Sequence, residues 1–191
     1  MSNIYTKVAF GLSITTLQAQ NIETATMLEF DEALDAEGTE RLAAYADLGP
    51  EFAEIFPPGD EDPFATFLDL FDDPEHVQFG VDFVTAGPLP DGSVRLSVTG
   101  DHADVSAIGR LLHRVLFHDA DDDALPFGFE YARTCDRHRL GEFGGGYVVA
   151  TREGVRFEDT ALQLQHALQV ATGDVSSSGQ EDIALPEQVA A

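Results

Sequence analysis

Cys135 is the only cysteine in a chain of 191 residues, with Arg133, Arg137 and His138 close by. A thiol beside cations and an imidazole has the ingredients of an activated nucleophile, because both neighbours favour the thiolate. One reading is therefore a small cysteine- or metal-dependent enzyme centred on Cys135 and His138. The pair stands without the flanking signature of a cysteine-enzyme family. Cys135 with His138, or His113 with His118, could face one metal ion, but structural zinc takes four ligands and the chain has neither a second cysteine nor a His-Glu-x-x-His run. Asp119, Asp121, Asp123 and Glu130 fall at positions 1, 3, 5 and 12 of a calcium loop. Ala124 stands where that loop needs glycine and Pro126 follows, so the stretch reads as a solvated acidic loop. Gly144, Gly145 and Gly146 run into Tyr147-Val148-Val149-Ala150, a strand pattern and not the helix N-terminus of a phosphate cradle. They are expected to allow a bulge or a close backbone approach in a hairpin. No serine-nucleophile elbow is present. The expectation is no catalytic residue, no metal and no cofactor.

Charge is the stronger signal. The chain has 35 acidic and 10 basic residues, a formal net charge of -25. Between Gln20 and His76 there are 17 acidic residues against one basic residue, Arg41. From Arg110 to Arg156 the balance is seven basic to eight acidic, so the chain has an acidic pole and a nearly neutral one. Such a composition repels nucleic acid and anionic lipid and attracts basic proteins or cations. The candidate partner-binding residues are Glu51, Glu54, Asp60, Glu61, Asp62, Asp69, Asp72, Asp73 and Glu75.

A helical surface with closely spaced carboxylates can present negative charge at intervals comparable to duplex phosphates, about one per 1.7 Å of axis. In composition, size and charge placement, mainly across residues 20–76 with Asp60-Glu61-Asp62 and Asp72-Asp73 as its densest points, the chain resembles the acidic nucleic-acid mimics with which phages and plasmids inhibit restriction and CRISPR systems. No motif is shared, and those anti-CRISPR and anti-restriction proteins have no common fold, so no residue role carries over. The resemblance implies a basic protein or nucleoprotein complex as partner, blocked without catalysis and without direct nucleic-acid binding. The competing explanation is salt adaptation, which the single lysine fits equally well. Acidic residues spread evenly over the surface would favour adaptation; one acidic face would favour mimicry.

The elements that position these residues read as one α+β domain over residues 1–172, an antiparallel sheet with helices packed on one face and an acidic helical insertion at 20–76. Residues 173–191 read as a flexible C-terminal tail. Lys7 followed by Val8 to Leu17 faintly resembles a signal peptide, but Val8, Phe10, Leu12 and Ile14 alternate with small or polar residues as a half-buried strand does. Asn21 to Leu48 reads as two helical pieces divided at Gly38, with Met27, Leu28, Leu34, Leu42 and Tyr45 as the apolar stripe, Thr39 as N-cap and Gly49-Pro50 as the stop. A short helical turn over Glu51 to Pro58 follows. Asp62-Pro63 then opens a helix whose Phe64, Phe67, Leu68 and Phe71 share one face.

Residues 77–83 and 94–98 read as a hairpin around Gly87 to Gly92. The next helix is expected with Asp101 as N-cap, Asp104 at the capping-box position, and an apolar face of Val105, Ile108, Leu111, Leu112, Val115 and Leu116; Arg110 and Arg114 lie elsewhere on it. Strands at Phe127 to Tyr131 and Tyr147 to Thr151 flank a turn over Asp136 to Gly146. After a tight turn at Glu153-Gly154, a last helix begins at Glu158-Asp159 and runs through Ala161, Leu164, Leu168 and Ala171. With one cysteine and no apolar run near the roughly 20 residues of a membrane span, a soluble cytoplasmic protein is expected. A homodimer through exposed hairpins is a further option.

Overall fold

The structure is a computed structural model that describes residues 3–118, 125–137 and 142–172. Strand β1 (Ile4–Ile14) runs through the middle of a six-stranded sheet, with Val8, Phe10, Leu12 and Ile14 turned to the core as their alternation requires. Thr15 then caps α1 (Thr16–Met27): its hydroxyl accepts from the Gln18 amide while the Gln18 side chain accepts from the Thr15 amide. This reciprocal cap starts the helix five residues before the expected Asn21. After two 3₁₀ turns come α2 (Gly38–Asp47), α3 (Pro50–Ile55) and the single turn α4 (Ala65–Leu68). Thr39 lies inside α2 and does not cap it, because the helix already begins at Gly38 behind Glu37. Met27 and Leu42, expected in the apolar stripe, face solvent, whereas Leu28 and Tyr45 are buried.

The hairpin strands are β2 (Asp82–Pro88) and β3 (Val94–Gly100). Residues 77–81 are not part of it: Phe79 is fully buried, its amide donates to Glu29, and its carbonyl accepts from Asp104. Helix α5 (Val105–Phe117) is capped by Asp104, whose side chain accepts from the Ala107 amide at 2.9 Å. Asp101, the expected cap, lies too early and is exposed near Lys7. Ile108, Leu111, Leu112 and Val115 of α5 are buried against the sheet, as the helical spacing predicts.

Strands β4 (Phe127–Cys135), β5 (Gly144–Thr151) and β6 (Gly154–Asp159) complete the sheet in the order β2-β3-β1-β4-β5-β6, with every ladder antiparallel. The fold is α+β. Strand β6 was not expected. Its core-facing residues are few, and Arg156 and Glu158 give this edge strand the polar look of a loop.

The triple glycine belongs to β5, not to the preceding turn. A β-carbon at Gly146 would run into the Glu158 carbonyl and the Tyr131 ring, and one at Gly145 would meet the Tyr131 carbonyl. The glycines thus serve the close approach of three strands.

Helices α1 to α5 and the front of the sheet share one core that runs from Val8 to Val148. Its densest part is a chain of rings, Phe52, Phe56, Phe67, Phe71 and Phe79, with successive centroids 4.9 to 5.7 Å apart. Each buried ring stabilises the fold by roughly 1.5–3 kcal/mol, which is how so charged a stretch folds at all.

Helix α6 (Thr160–Thr172) differs from the others. Asp159 caps it by accepting from the Ala161 amide, it has no buried residue, and it lies against β5 and β6. Its Gln163 donates to the Tyr147 hydroxyl. Tyr147 points away from its neighbour Val148, which is in the core, so α6 covers part of the reverse face of the sheet. The expected tail, 173–191, lies outside the described residues.

Candidate protein-binding surface

The nine carboxylates singled out from the sequence sit on α3, the loops around α4, and the turn that follows α4. Eight are exposed: Glu51, Glu54, Asp60, Glu61, Asp69, Asp72, Asp73 and Glu75. Glu51 sits in the first turn of α3, where the helix dipole favours its charge. Asp73 accepts from the Glu75 amide at 3.1 Å and lies 2.9 Å from the His76 imidazole.

Asp62 has an internal task. Arg41 of α2 reaches it with two nitrogens, at 2.7 and 2.8 Å, and the Phe64 amide adds a third bond at 3.0 Å. These bonds, the Arg41 pair foremost, hold the Asp62 carboxyl below the usual carboxylate range. Arg41 also donates to the Leu34 carbonyl and stacks over the Phe64 ring at 4.9 Å. The one cation within the acidic stretch is thereby half-buried and bound inside it.

The two arginines of α5 also face this segment. Arg114 donates to the Thr66 carbonyl at 2.9 Å and lies 5.4 Å from the centre of the Phe56 ring, and burial lowers its pKa. Arg110 donates to the Leu70 carbonyl at 3.0 Å and pairs with Asp72 at 2.9 Å, leaving the Asp72 side chain 73% exposed. Both therefore pin the α4 region to α5. Sequence reasoning placed them only on the helix surface; their one-turn spacing, set against a strongly acidic preceding segment, is the signal that could have assigned them.

Of the 17 acidic residues between Gln20 and His76, only Glu29 and Asp62 are less than exposed. Glu29 is half-buried beside a cleft that also involves Asp31, Arg41 and Glu75. Burial raises its pKa, and the Phe79 amide partly offsets that. The reverse face of the sheet is mixed in charge instead, with Lys7, Arg95 and Arg156 among Asp82, Glu130 and Glu158 on alternate positions of the paired strands.

Around Cys135 the geometry runs against an activated thiol. Its sulfur lies 2.8 Å from the Glu142 carboxylate and 3.7 Å from that of Asp136, with the Arg137 amide at 3.5 Å. Arg133 is turned to an ion pair with Asp159. The Glu142 contact, largest among these influences, pushes the thiol pKa up, so the neutral form is favoured at pH 7. His138, and Asp119, Asp121 and Asp123 of the calcium-like spacing, lie outside the described residues. Glu130 is exposed on β4. No group of three or more His, Cys, Asp or Glu side chains among the described residues is placed to hold a metal ion. None of the described helices is long and apolar enough to cross a membrane.

Comparison with family models, with curated proteins and with solved structures found no match.

Proposed function

We propose that the chain is a non-enzymatic binding protein whose acidic helical surface occupies a basic, nucleic-acid-handling surface of another protein or nucleoprotein complex and inhibits it, as in a CRISPR or restriction defence system. The observation that carries this reading is the pairing pattern within residues 20–76. Their single arginine is bound internally to Asp62, while the other eight carboxylates between Glu51 and Glu75 stay exposed. A surface of that kind attracts a cationic partner over several ångströms and repels nucleic acid. The near-neutral sheet opposite supports a localised role for the charge over salt adaptation, which would distribute acid over the whole surface.

The test is competition. The chain is immobilised and used to capture basic nucleic-acid-handling complexes at low salt; a duplex DNA of about two helical turns is then titrated in. Duplex and chain are expected to exclude one another, with affinity falling steeply as salt rises. Changing Glu51, Glu54, Asp60, Glu61, Asp69, Asp73 and Glu75 to Lys, with Asp62 kept for its structural bond, is expected to weaken capture by roughly 100-fold or more while circular dichroism is unchanged. Capture by the reversed chain at undiminished affinity overturns the reading.

A further inference from the structure

Phe30 is 78% exposed and Met27 60% exposed, in a layer whose other Phe and Tyr rings are buried. Gln20, Glu23, Met27 and Phe30 fall at i, i+3, i+7 and i+10, so they share the outer face of α1 and of the 3₁₀ turn Leu28–Phe30 that continues it. Packing accounts for the neighbour and not for the ring: Leu28 turns into the core and is 1% exposed. No Lys or Arg occurs from Gln20 to Glu40, and Glu29 and Asp31 stand on either side of Phe30. With Leu28, Leu34 and Glu75 these two carboxylates line a cleft of about 390 Å³, at the small end of the ligand-sized range. Each uses one oxygen on a backbone amide, Glu29 on that of Phe79 at 3.2 Å and Asp31 on that of Ala33 at 2.8 Å, and a carboxylate has further lone pairs to offer.

We propose that Phe30, with Met27, Glu29 and Asp31, is the docking point for an arginine side chain of the basic partner. This rests on the acidic layer facing such a partner, and adds which cation it selects. Two features point to arginine. The first is charge complementarity: an apolar pair rimmed by carboxylates repels nucleic acid, anionic lipid and a second acidic copy, and favours a cationic surface. Arg41, the cation that also lines the cleft, is already engaged by Asp62 and leaves the outer carboxylates without charge compensation. The second feature is the exposed ring. A guanidinium stacks flat on an aromatic face while its edge pairs with carboxylates, whereas an ammonium is a strongly hydrated point charge. The chain already holds one guanidinium in this way: Arg41 lies 4.9 Å from the centre of the Phe64 ring and reaches Asp62 at 2.7 and 2.8 Å. Phe30, Glu29 and Asp31 present the same groups to solvent.

Hexa-arginine and hexa-lysine, equal in side-chain charge, are titrated into the nitrogen-15-labelled full chain at physiological salt. The arginine peptide is expected to bind about threefold or more tighter, with the amides of residues 27–35 among those that shift most. Phe30→Ala is expected to bring the two affinities to within about twofold of each other, while the lysine-peptide affinity and the circular dichroism stay as in the wild type. Phe30→Tyr, which keeps the aromatic face, is expected to keep the preference. Equal affinities in the wild-type chain overturn the proposal. So does an arginine preference that survives Phe30→Ala, because it places the guanidinium elsewhere on the acidic layer. The two readings fail separately: duplex competition that fails beside an intact arginine preference sinks the defence-system reading alone, and duplex competition that holds without an arginine preference sinks this one alone.

Discussion

In the layer built by α1 to α4, aromatic rings other than Phe30 are buried and carboxylates face water, whereas in α6 leucines face water and charged residues are missing altogether. The first region is held by its own core: Phe56, Phe64 and Phe67 are essentially inaccessible, and Tyr45 donates to the Phe56 carbonyl at 2.6 Å. The second is held by its cap, by two hydrogen bonds to β5 and by a loose cleft. Charge density and local stability are therefore not in conflict here. Carboxylates can be added to a surface whose interior is aromatic, because repulsion in water is worth little per pair beside a buried ring.

The largest expected effect breaks that contrast if it is wrong. Phe67→Ala should lower the unfolding free energy by about 3–5 kcal/mol, while Leu164→Ala should change it by less than about 0.5 kcal/mol, both read from urea denaturation. Comparable losses in the two variants would mean that α6 is as integral as the aromatic layer.

A middle-sized effect separates the sheet from both regions. Gly146→Ala should destabilise by roughly 1–3 kcal/mol, because its β-carbon meets the Glu158 carbonyl and the Tyr131 ring. Gly144→Ala, whose β-carbon would meet nothing closer than 3.6 Å, should be nearly neutral in the same assay. Equal midpoints for the two would remove the close-approach argument.

The smallest effect sharpens the distinction between an internal and an exposed carboxylate. Asp62 has a folded pKa below its ordinary value, so its contribution is present above the unfolded pKa and is lost as pH falls through the depressed folded value, in a window below about pH 4. Its side chain is 33% exposed, so no more than about 1 kcal/mol is expected after solvent screening. Asp62→Asn should flatten that limb of the stability-versus-pH curve, and Glu61→Gln should leave it in place. An unchanged limb in Asp62→Asn would assign the acid sensitivity to other groups.

Alternation and helical spacing made much of the fold legible. Val8 to Ile14, Phe127 to Tyr131 and the apolar face of α5 carry periodicities that only one secondary structure satisfies. Boundaries were harder. Asp101 and Asp104 are both capping residues by type, and only the bond to the Ala107 amide selects Asp104. Strand β6 was missed because it offers only two apolar positions, Val155 and Phe157, alternating with Arg156 and Glu158 in the short run between a tight turn and a helix cap. At the candidate surface, sequence located the acidic residues but could not separate Asp62 from Glu61, since the distinction is made by Arg41, 21 positions away.

The sequence by itself determined the net charge, its concentration between Gln20 and His76, and the apolar periodicities that any fold of this chain must bury. Tertiary structure decided what those charges face. Arg110 and Arg114, one turn apart on α5, could serve solvent, a partner or the chain itself, and they turn to the carbonyls of Leu70 and Thr66 because packing α5 on the sheet brings the α4 region within reach. Likewise the charge-free α6 reads from sequence as one more amphipathic helix. Only its position on the reverse face, with the core already filled by the other five helices, leaves its leucines in water.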